Sequence, residues 1–267
     1  MSLPEKHRIR SAFERAAASY DAAAVLQRGV CDLLLEQLAP EFQPASHGPS
    51  WPQRILDAGC GTGYGARILR RAWPHCTVVA TDFAPAMVAA MRRAADAATA
   101  CTVTDIERLP FAASRFDLWW SSLTVQWCDL QTVLNEAHRV LAPGGRLALS
   151  TLGPGTYAEL RDAFSSVDRH RHTLDFSVAE RLVPITEAAG FTDVLATRRS
   201  ITLHYPDLRQ LLGAVKAIGA NALGDGRRAG MMGRRAWQAL AEAYEGWRSD
   251  AGLPATYDVI LLTATRQ

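Results

Sequence analysis

The chain has 267 residues, 48% hydrophobic and 21% charged, with 29 Lys and Arg against 27 Asp and Glu. The resulting formal charge of +2 is too near neutral to argue for nucleic acid or a membrane surface. Five cysteines, Cys31, Cys60, Cys76, Cys101 and Cys128, form no close pair, which predicts reduced thiols in a cytoplasm and neither a disulfide framework nor a zinc site. The first residues lack the apolar stretch of a secretory signal, and no apolar run approaches the roughly 18 residues of a membrane span.

Hydrophobic periodicity gives the elements in chain order. Ile9, Phe13, Ala16 and Tyr20 recur every three or four positions, and the pattern resumes from Val25 to Leu38, so the first forty residues read as helices. PEFQPASHGPSWP at 40–52 is dense in Pro, Ser and Gly and reads as a linker. Strand-like runs at 54–58, 77–82, 100–104, 116–121 and 146–151 then alternate with helical runs at 65–73, 85–98 and 130–141. Alternation of this kind predicts βαβ units and a parallel sheet covered by helices on both faces. Trp119 and Trp120 lie inside the fourth strand and are expected in the core. FTDVLATRRSITLHY at 191–205 and ATYDVILLTATR at 255–266 read as two more strands, an antiparallel pair closing the sheet. Between them lies a helical insertion, 206–252, longer than an ordinary connection and so a lid or binding element.

The run RILDAGCGTGYGARIL at 54–69 leads an apolar strand through spaced glycines into a helix. Gly61, Gly63 and Ala66 fit the dinucleotide pattern G-x-G-x-x-A, with Asp82 about twenty residues on, where a ribose-binding acid is expected. Three features favour a different adenosine cofactor. Asp57 puts a carboxylate beside the ligand, unfavourable to a pyrophosphate and favourable to a sulfonium that carries an α-amino group. Helices precede the first strand. Asp105 stands just past the third strand, where it can accept from an adenine amino group, although an ordinary turn aspartate would look the same.

With RVLAPGGRLALST at 139–151, these residues resemble the class I S-adenosylmethionine-dependent methyltransferases. The resemblance implies an α/β, Rossmann-like fold with a seven-stranded, mostly parallel sheet whose last strand is antiparallel. It implies one domain, with an N-terminal helical lid and linker over 1–50, a cofactor-binding core over 51–152 and a substrate-side half over 153–267. It also implies S-adenosylmethionine as cofactor. Asp57, Gly59, Gly61 and Gly63 would run under its methionine part, Asp82 would bind the ribose hydroxyls, Asp105 and Ile106 would meet the adenine, and Phe83 would also contact the cofactor. Tyr20, Gln27, Met87, Ser122 and Gln126 would complete that site. Asp82 also suits the N-cap of the helix after it, and the two roles are compatible. Cys60 has no base in view and reads as packing.

Segments outside that core narrow the resemblance to the malonyl-acyl-carrier-protein O-methyltransferases of biotin synthesis. They are AFERAAASYDAAAVLQR (12–28), SSLTVQWCDL (121–130), STLGPGTYAEL (150–160), YPDLRQLLGAVKAIGAN (205–221) and LPATYDVI (253–260). The chain departs from the family's pattern at ALGDGR, 222–227, which is smaller than the segment expected there. The implied reaction moves a methyl group from the sulfonium to the free carboxylate of a malonyl thioester, carried by acyl-carrier protein or coenzyme A. A carboxylate is already ionised at pH 7, so neither a strong general base nor a metal is expected.

Candidates to hold that carboxylate are Tyr20, Gln126, Trp127, Lys216 and Tyr257, with Tyr20, Trp127 and Lys216 as the catalytic set. Tyr20 also fits a core tyrosine on an amphipathic helix. Lys216, with Lys6 one of only two lysines in the chain, also fits a solvated charge. Arg227, Arg228, Arg234 and Arg235 crowd GDGRRAGMMGRR at 224–235, either to steer an acidic carrier protein or as a solvated basic loop. Two enzymatic alternatives are methylation of another small carboxylate and of a quinone ring carbon. An alternative of a different class is a non-catalytic cofactor-binding sensor or scaffold.

Overall fold

The computed structural model describes residues 6–38, 52–94, 99–165, 167, 176, 178–218 and 233–267. Three helices open the described chain: α1 (Lys6–Ala16), the single turn α2 (Tyr20–Ala23) and α3 (Val25–Leu38). Next come β1 (Arg54–Ala58), α4 (Tyr64–Ala72), β2 (Thr77–Asp82), α5 (Pro85–Ala94), β3 (Ala100–Val103) and β4 (Phe116–Ser122). A 3-10 turn, Val125–Trp127, leads to α6 (Leu130–Val140) and β5 (Leu141–Leu152). The remainder is α7 (Ala158–Ser165), α8 (Ala179–Ala188), β6 (Phe191–Tyr205), α9 (Leu208–Ala217), α10 (Arg234–Glu245) and β7 (Leu253–Arg266).

The seven strands form one sheet in the order β3-β2-β1-β4-β5-β7-β6. Strands β1 to β5 pair in parallel, and β7 lies antiparallel between β5 and β6. The expected strand pair at the chain's end is therefore present. The order reverses between β1 and β4, and in open α/β sheets a ligand crevice forms at such a switch, beyond the strand C-termini. Both the glycine turn after β1 and the turn after β4 emerge there.

Alternation along β4 from Leu118, after a register irregularity between Phe116 and Leu118, divides its side chains between two cores. Leu118 and Trp120 face a cluster with Leu34 of α3 and Leu69 of α4, while Phe116 and Trp119 face one with Leu134 of α6 and Leu182 of α8. Both tryptophans are fully buried, as expected. Helix starts follow capping chemistry. The Asp129 carboxylate accepts from Thr132 N–H at 3.0 Å to start α6, and Asp207 accepts from Gln210 N–H at 2.8 Å to start α9.

Three differences from the periodicity have local causes. β5 begins at Leu141, five residues early, because Leu141 pairs with Phe116 before the P-G-G turn and the main ladder resumes at Arg146. Helices α7 and α8 are unmarked by the pattern; α8 holds Pro184 in its interior, a residue that reads as a breaker. The third is at the N-terminus, where Val30, Leu34 and Leu38 of α3 are fully buried against the sheet. The insertion contains α9 and α10, while 219–232 and the end of the expected helix at 95–98 lie outside the described residues. Among the described residues, no helix is long and apolar enough to cross a membrane.

If α3 is core, truncating it must cost global stability. Leu34→Ala is expected to destabilise the protein by about 3 kcal/mol, the usual range for a fully buried leucine, in one cooperative urea transition. A loss confined to cofactor affinity would instead assign α3 to a detachable lid.

Candidate functional site

The turn between β1 and α4 is shaped by contacts that exclude side chains. Gly59 has φ +81°, and a Cβ there would lie 2.3 Å from the Thr124 hydroxyl, so only glycine lets the β1 and β4 turns approach this closely. Gly59 and Cys60 donate their N–H groups to the Thr81 carbonyl, each at 2.8 Å, which ties the turn to β2. Asp82, at the end of β2, closes the loop. Its carboxylate accepts from Gly61 N–H at 3.0 Å and from Ala84 N–H at 2.8 Å, so it both braces the glycine turn and leads into α5.

Two adjoining cavities flank this turn. The larger has about 640 Å³ of space, open to solvent on one side. Tyr20, Gly59, Gly61, Asp82, Phe83, Met87, Asp105, Ile106, Ser122 and Trp127, all expected at the site, line it. So do Lys6, Phe13, Leu123, Thr124 and Cys128, which were not expected. The second, of about 470 Å³, is lined by Gln27, Asp57 and Trp120 among others. Tyr20, Gly59, Gly61 and Ser122 belong to both walls, so the Tyr20 ring stands at the boundary between the two. Leu123 takes φ +49°, a strained conformation for leucine, and brings its turn into the larger cavity.

The second cavity holds the sharpest polar signal. Asp57 Oδ2, Trp120 Nε1 and Gln27 Oε1 are buried with no hydrogen-bond partner among the described residues. Three such atoms on one small cavity are costly unless a ligand satisfies them. Two acceptors and a donor match an α-ammonium and a carboxylate, the two ends of an amino acid. Burial, with the nearby Asp82 charge adding to it, raises the Asp57 carboxyl to about 7 despite the hydrogen bond from Ala66 N–H. Burial likewise raises Asp82 to about 6, against three backbone N–H groups that favour its charge. A cation delivered to this cavity would reverse the penalty on Asp57. The residues present thus fit S-adenosylmethionine, with Asp57, Gln27 and Trp120 toward its amino-acid end and Asp82 toward its ribose.

Other expected residues are elsewhere. Lys216 lines neither cavity; Leu208, Leu211 and Ile218 turn α9 to the core and leave Lys216 exposed. Tyr257 also lines neither, because the β7 register points it into the core beneath the insertion, edge-on to Tyr157 with ring centroids 4.9 Å apart. Gln126 folds back on its own turn, Nε2 donating to the Leu123 carbonyl at 2.7 Å. Gly63, with φ +89°, starts α4 over Met91 rather than facing either cavity. Arg227 and Arg228 lie outside the described residues. Of the residues that were missed, Phe13 had a readable signal, since it lies seven positions from both Lys6 and Tyr20. Trp120 had none, because its alternation says only that it is buried.

The raised carboxyls have a measurable consequence. Without ligand the folded chain keeps protons that Asp57 and Asp82 release on unfolding, so their contribution to stability falls as pH rises from about 4 to about 7. Ionised Asp57 is the form that pairs with an ammonium. The rise in Tm caused by a fixed excess of S-adenosylhomocysteine is therefore expected to grow between about pH 5 and about pH 8. Asp57→Asn should flatten that growth, bind more weakly, and melt above the native protein at neutral pH without ligand.

A family profile described as a methyltransferase domain matches residues 56–149. Malonyl-[acyl-carrier protein] O-methyltransferase of Dechloromonas aromatica (strain RCB) is 48% identical over 264 residues, covering 98% of this chain and 95% of the relative. The protein of the same name from Laribacter hongkongensis (strain HLHK9) is 41% identical over 267 residues, 96% of this chain and 88% of the relative. The biotin biosynthesis bifunctional protein BioHC of Cellvibrio japonicus (strain Ueda107) is 38% identical over 259 residues, 97% of this chain but 50% of that protein. Among solved structures, Haemonchus contortus phosphoethanolamine N-methyltransferase 2 in complex with S-adenosyl-L-methionine has a TM-score of 0.57. It is 17% identical and covers 95% of this chain and 57% of its own, a likeness of fold alone. Near full-length identity to the bacterial relatives carries more: this chain belongs to the malonyl-[acyl-carrier protein] O-methyltransferase family of S-adenosylmethionine-dependent methyltransferases.

Proposed function

We propose that this chain methylates the free carboxylate of a malonyl group borne by an acyl-carrier protein, forming its methyl ester as an early step of biotin synthesis in the cytoplasm. The observation that carries this reading is near full-length identity to malonyl-[acyl-carrier protein] O-methyltransferases, joined to a cavity whose orphaned polar atoms fit the cofactor's amino-acid end. When bound, S-adenosylmethionine supplies an electrophilic methyl group on a cationic sulfur. Asp57, Gln27 and Trp120 hold its amino-acid end, Asp82 its ribose, and Asp105 with Ile106 its adenine.

Tyr20 is the proposed contact to the reacting carboxylate. Its ring walls both cavities, and burial together with the Asp82 charge holds its phenol above the ordinary value, so it stays a hydrogen-bond donor. A neutral donor orients a carboxylate without quenching it as a close cation would. Trp127, buried at the end of the 3-10 turn, adds an apolar wall. The nucleophile needs no deprotonation, so catalysis rests on alignment and on exclusion of water, which strengthens attraction between carboxylate and sulfonium. The exposed Lys216, Arg234 and Arg235 offer basic charge to an acidic carrier protein.

Methyl-labelled S-adenosylmethionine incubated with malonyl-acyl-carrier protein, then treated with mild alkali, tests the reaction. Label that transfers and leaves as methanol identifies an O-methyl ester. Label that resists alkali would overturn the carboxylate as acceptor, and no transfer by a cofactor-binding preparation would overturn the enzyme reading. Tyr20→Phe is expected to lower kcat/KM by about 10- to 100-fold, the range for a hydrogen bond to a charged group, with S-adenosylhomocysteine affinity little changed. Lys216→Ala should keep kcat within about twofold and raise KM for the carrier, as removal of an exposed steering charge does.

A further inference from the structure

We propose that Lys6 is a positioning residue, the latch that keeps α1 closed over the cofactor's adenine end, so that release of S-adenosylhomocysteine requires its ion pairs to break. This rests on the cofactor reading above. The Lys6 ammonium reaches two carboxylates across about a hundred residues of sequence: it pairs with Asp105 and, at 2.7 Å, with Glu107. Neither acid is a loose surface charge. Asp105 Oδ1 accepts from Glu107 N–H at 3.0 Å, and Glu107 Oε1 accepts at 2.9 Å from the N–H of Asp129, the N-cap residue of α6. The latch plate is therefore built before Lys6 arrives.

Phe13, two helical turns on and on the same face of α1, extends the closure. Its ring meets Phe83 edge-on at 6.4 Å and Trp127 at 5.7 Å between centroids. Lys6 and Phe13 both line the larger cavity, so α1 forms its outer wall and its displacement is the way out for a ligand. The arrangement also explains why one ammonium serves two acids. The carboxylate that Lys6 shares, Asp105, is the one assigned to the adenine amino group. A lysine held by Asp105 alone would compete with the ligand. With Glu107 as a second partner, it yields part of Asp105 and keeps α1 shut.

The ionic and aromatic halves of this closure respond differently to salt. Lys6 and Asp105 side chains are 43% and 36% exposed, so added salt weakens their pairing and leaves the ring contacts intact. The experiment follows dissociation of S-adenosylhomocysteine by stopped-flow tryptophan fluorescence at low and high sodium chloride. It compares the native protein, Lys6→Met, Lys6→Arg and Glu107→Gln, with Tm recorded for each. The native dissociation rate is expected to rise with salt. In Lys6→Met it should be about fivefold faster at low salt and lose that dependence; Lys6→Arg should restore both, and Glu107→Gln should fall between. A native rate independent of salt, or a Lys6→Met rate equal to native, overturns the latch. The native salt dependence decides the matter if Lys6→Met does not fold. A native protein that binds no S-adenosylhomocysteine defeats the cofactor reading itself, and the latch with it.

Discussion

A carboxylate buried from water with one oxygen left unpaired among the described residues is the constraint around which this fold is arranged. Asp57 is 2% exposed, one of its oxygens is unpaired, and its carboxyl sits near 7. Burying such a group opposes folding, and the surrounding elements are placed so that the penalty is small enough to bear. β1 delivers Asp57 at the strand-order switch, and α4 begins immediately beyond it with the positive end of its dipole and the Ala66 N–H turned to the charge. Gly65 is bare because a Cβ would approach Asp57 Oδ2 to 2.9 Å and the Trp120 indole nitrogen to 3.1 Å. Buried Asp57 itself weakens the isolated domain, and the α4 N-terminus and the Ala66 N–H offset part of that cost.

Asp82 carries the complementary task. It too is buried, yet its oxygens meet backbone N–H groups on both sides, so its charge is held by the turn it braces. The two acids thus differ in kind. One is met by main-chain N–H groups and braces the loop; the other is left with one oxygen unpaired among the described residues.

Much of this was legible in the residues. The alternation of strand and helix fixed the parallel sheet, and the spacing Asp57, Asp82, Asp105 marked strand ends that meet at one edge. Local pattern has no view of contacts distant in sequence, and there the reading stopped. Trp120 looks like its neighbour Trp119, and only the sheet's two faces distinguish a purely structural indole from one that borders a cavity. Lys216 stood out by rarity, whereas the direction of its side chain is set by which residues of α9 the core takes. Lys6 drew no attention, since its partners lie about a hundred residues away. α8 was hidden because packing overrode the helix-breaking tendency of Pro184.

The placement of β7 has a consequence for how the chain reaches this structure. The strand that lies between β5 and β6 is the last of the seven to leave the ribosome. Five parallel strands can assemble as synthesis proceeds, but β6, fifteen residues long, has no neighbour until β7 arrives. Until then two open edges persist, that of β5 and that of β6, each able to pair with another nascent chain. The exposed charge of Arg199 on β6 suits that interval, and Arg198 finds its carboxylate partner, Asp258, only when β7 arrives.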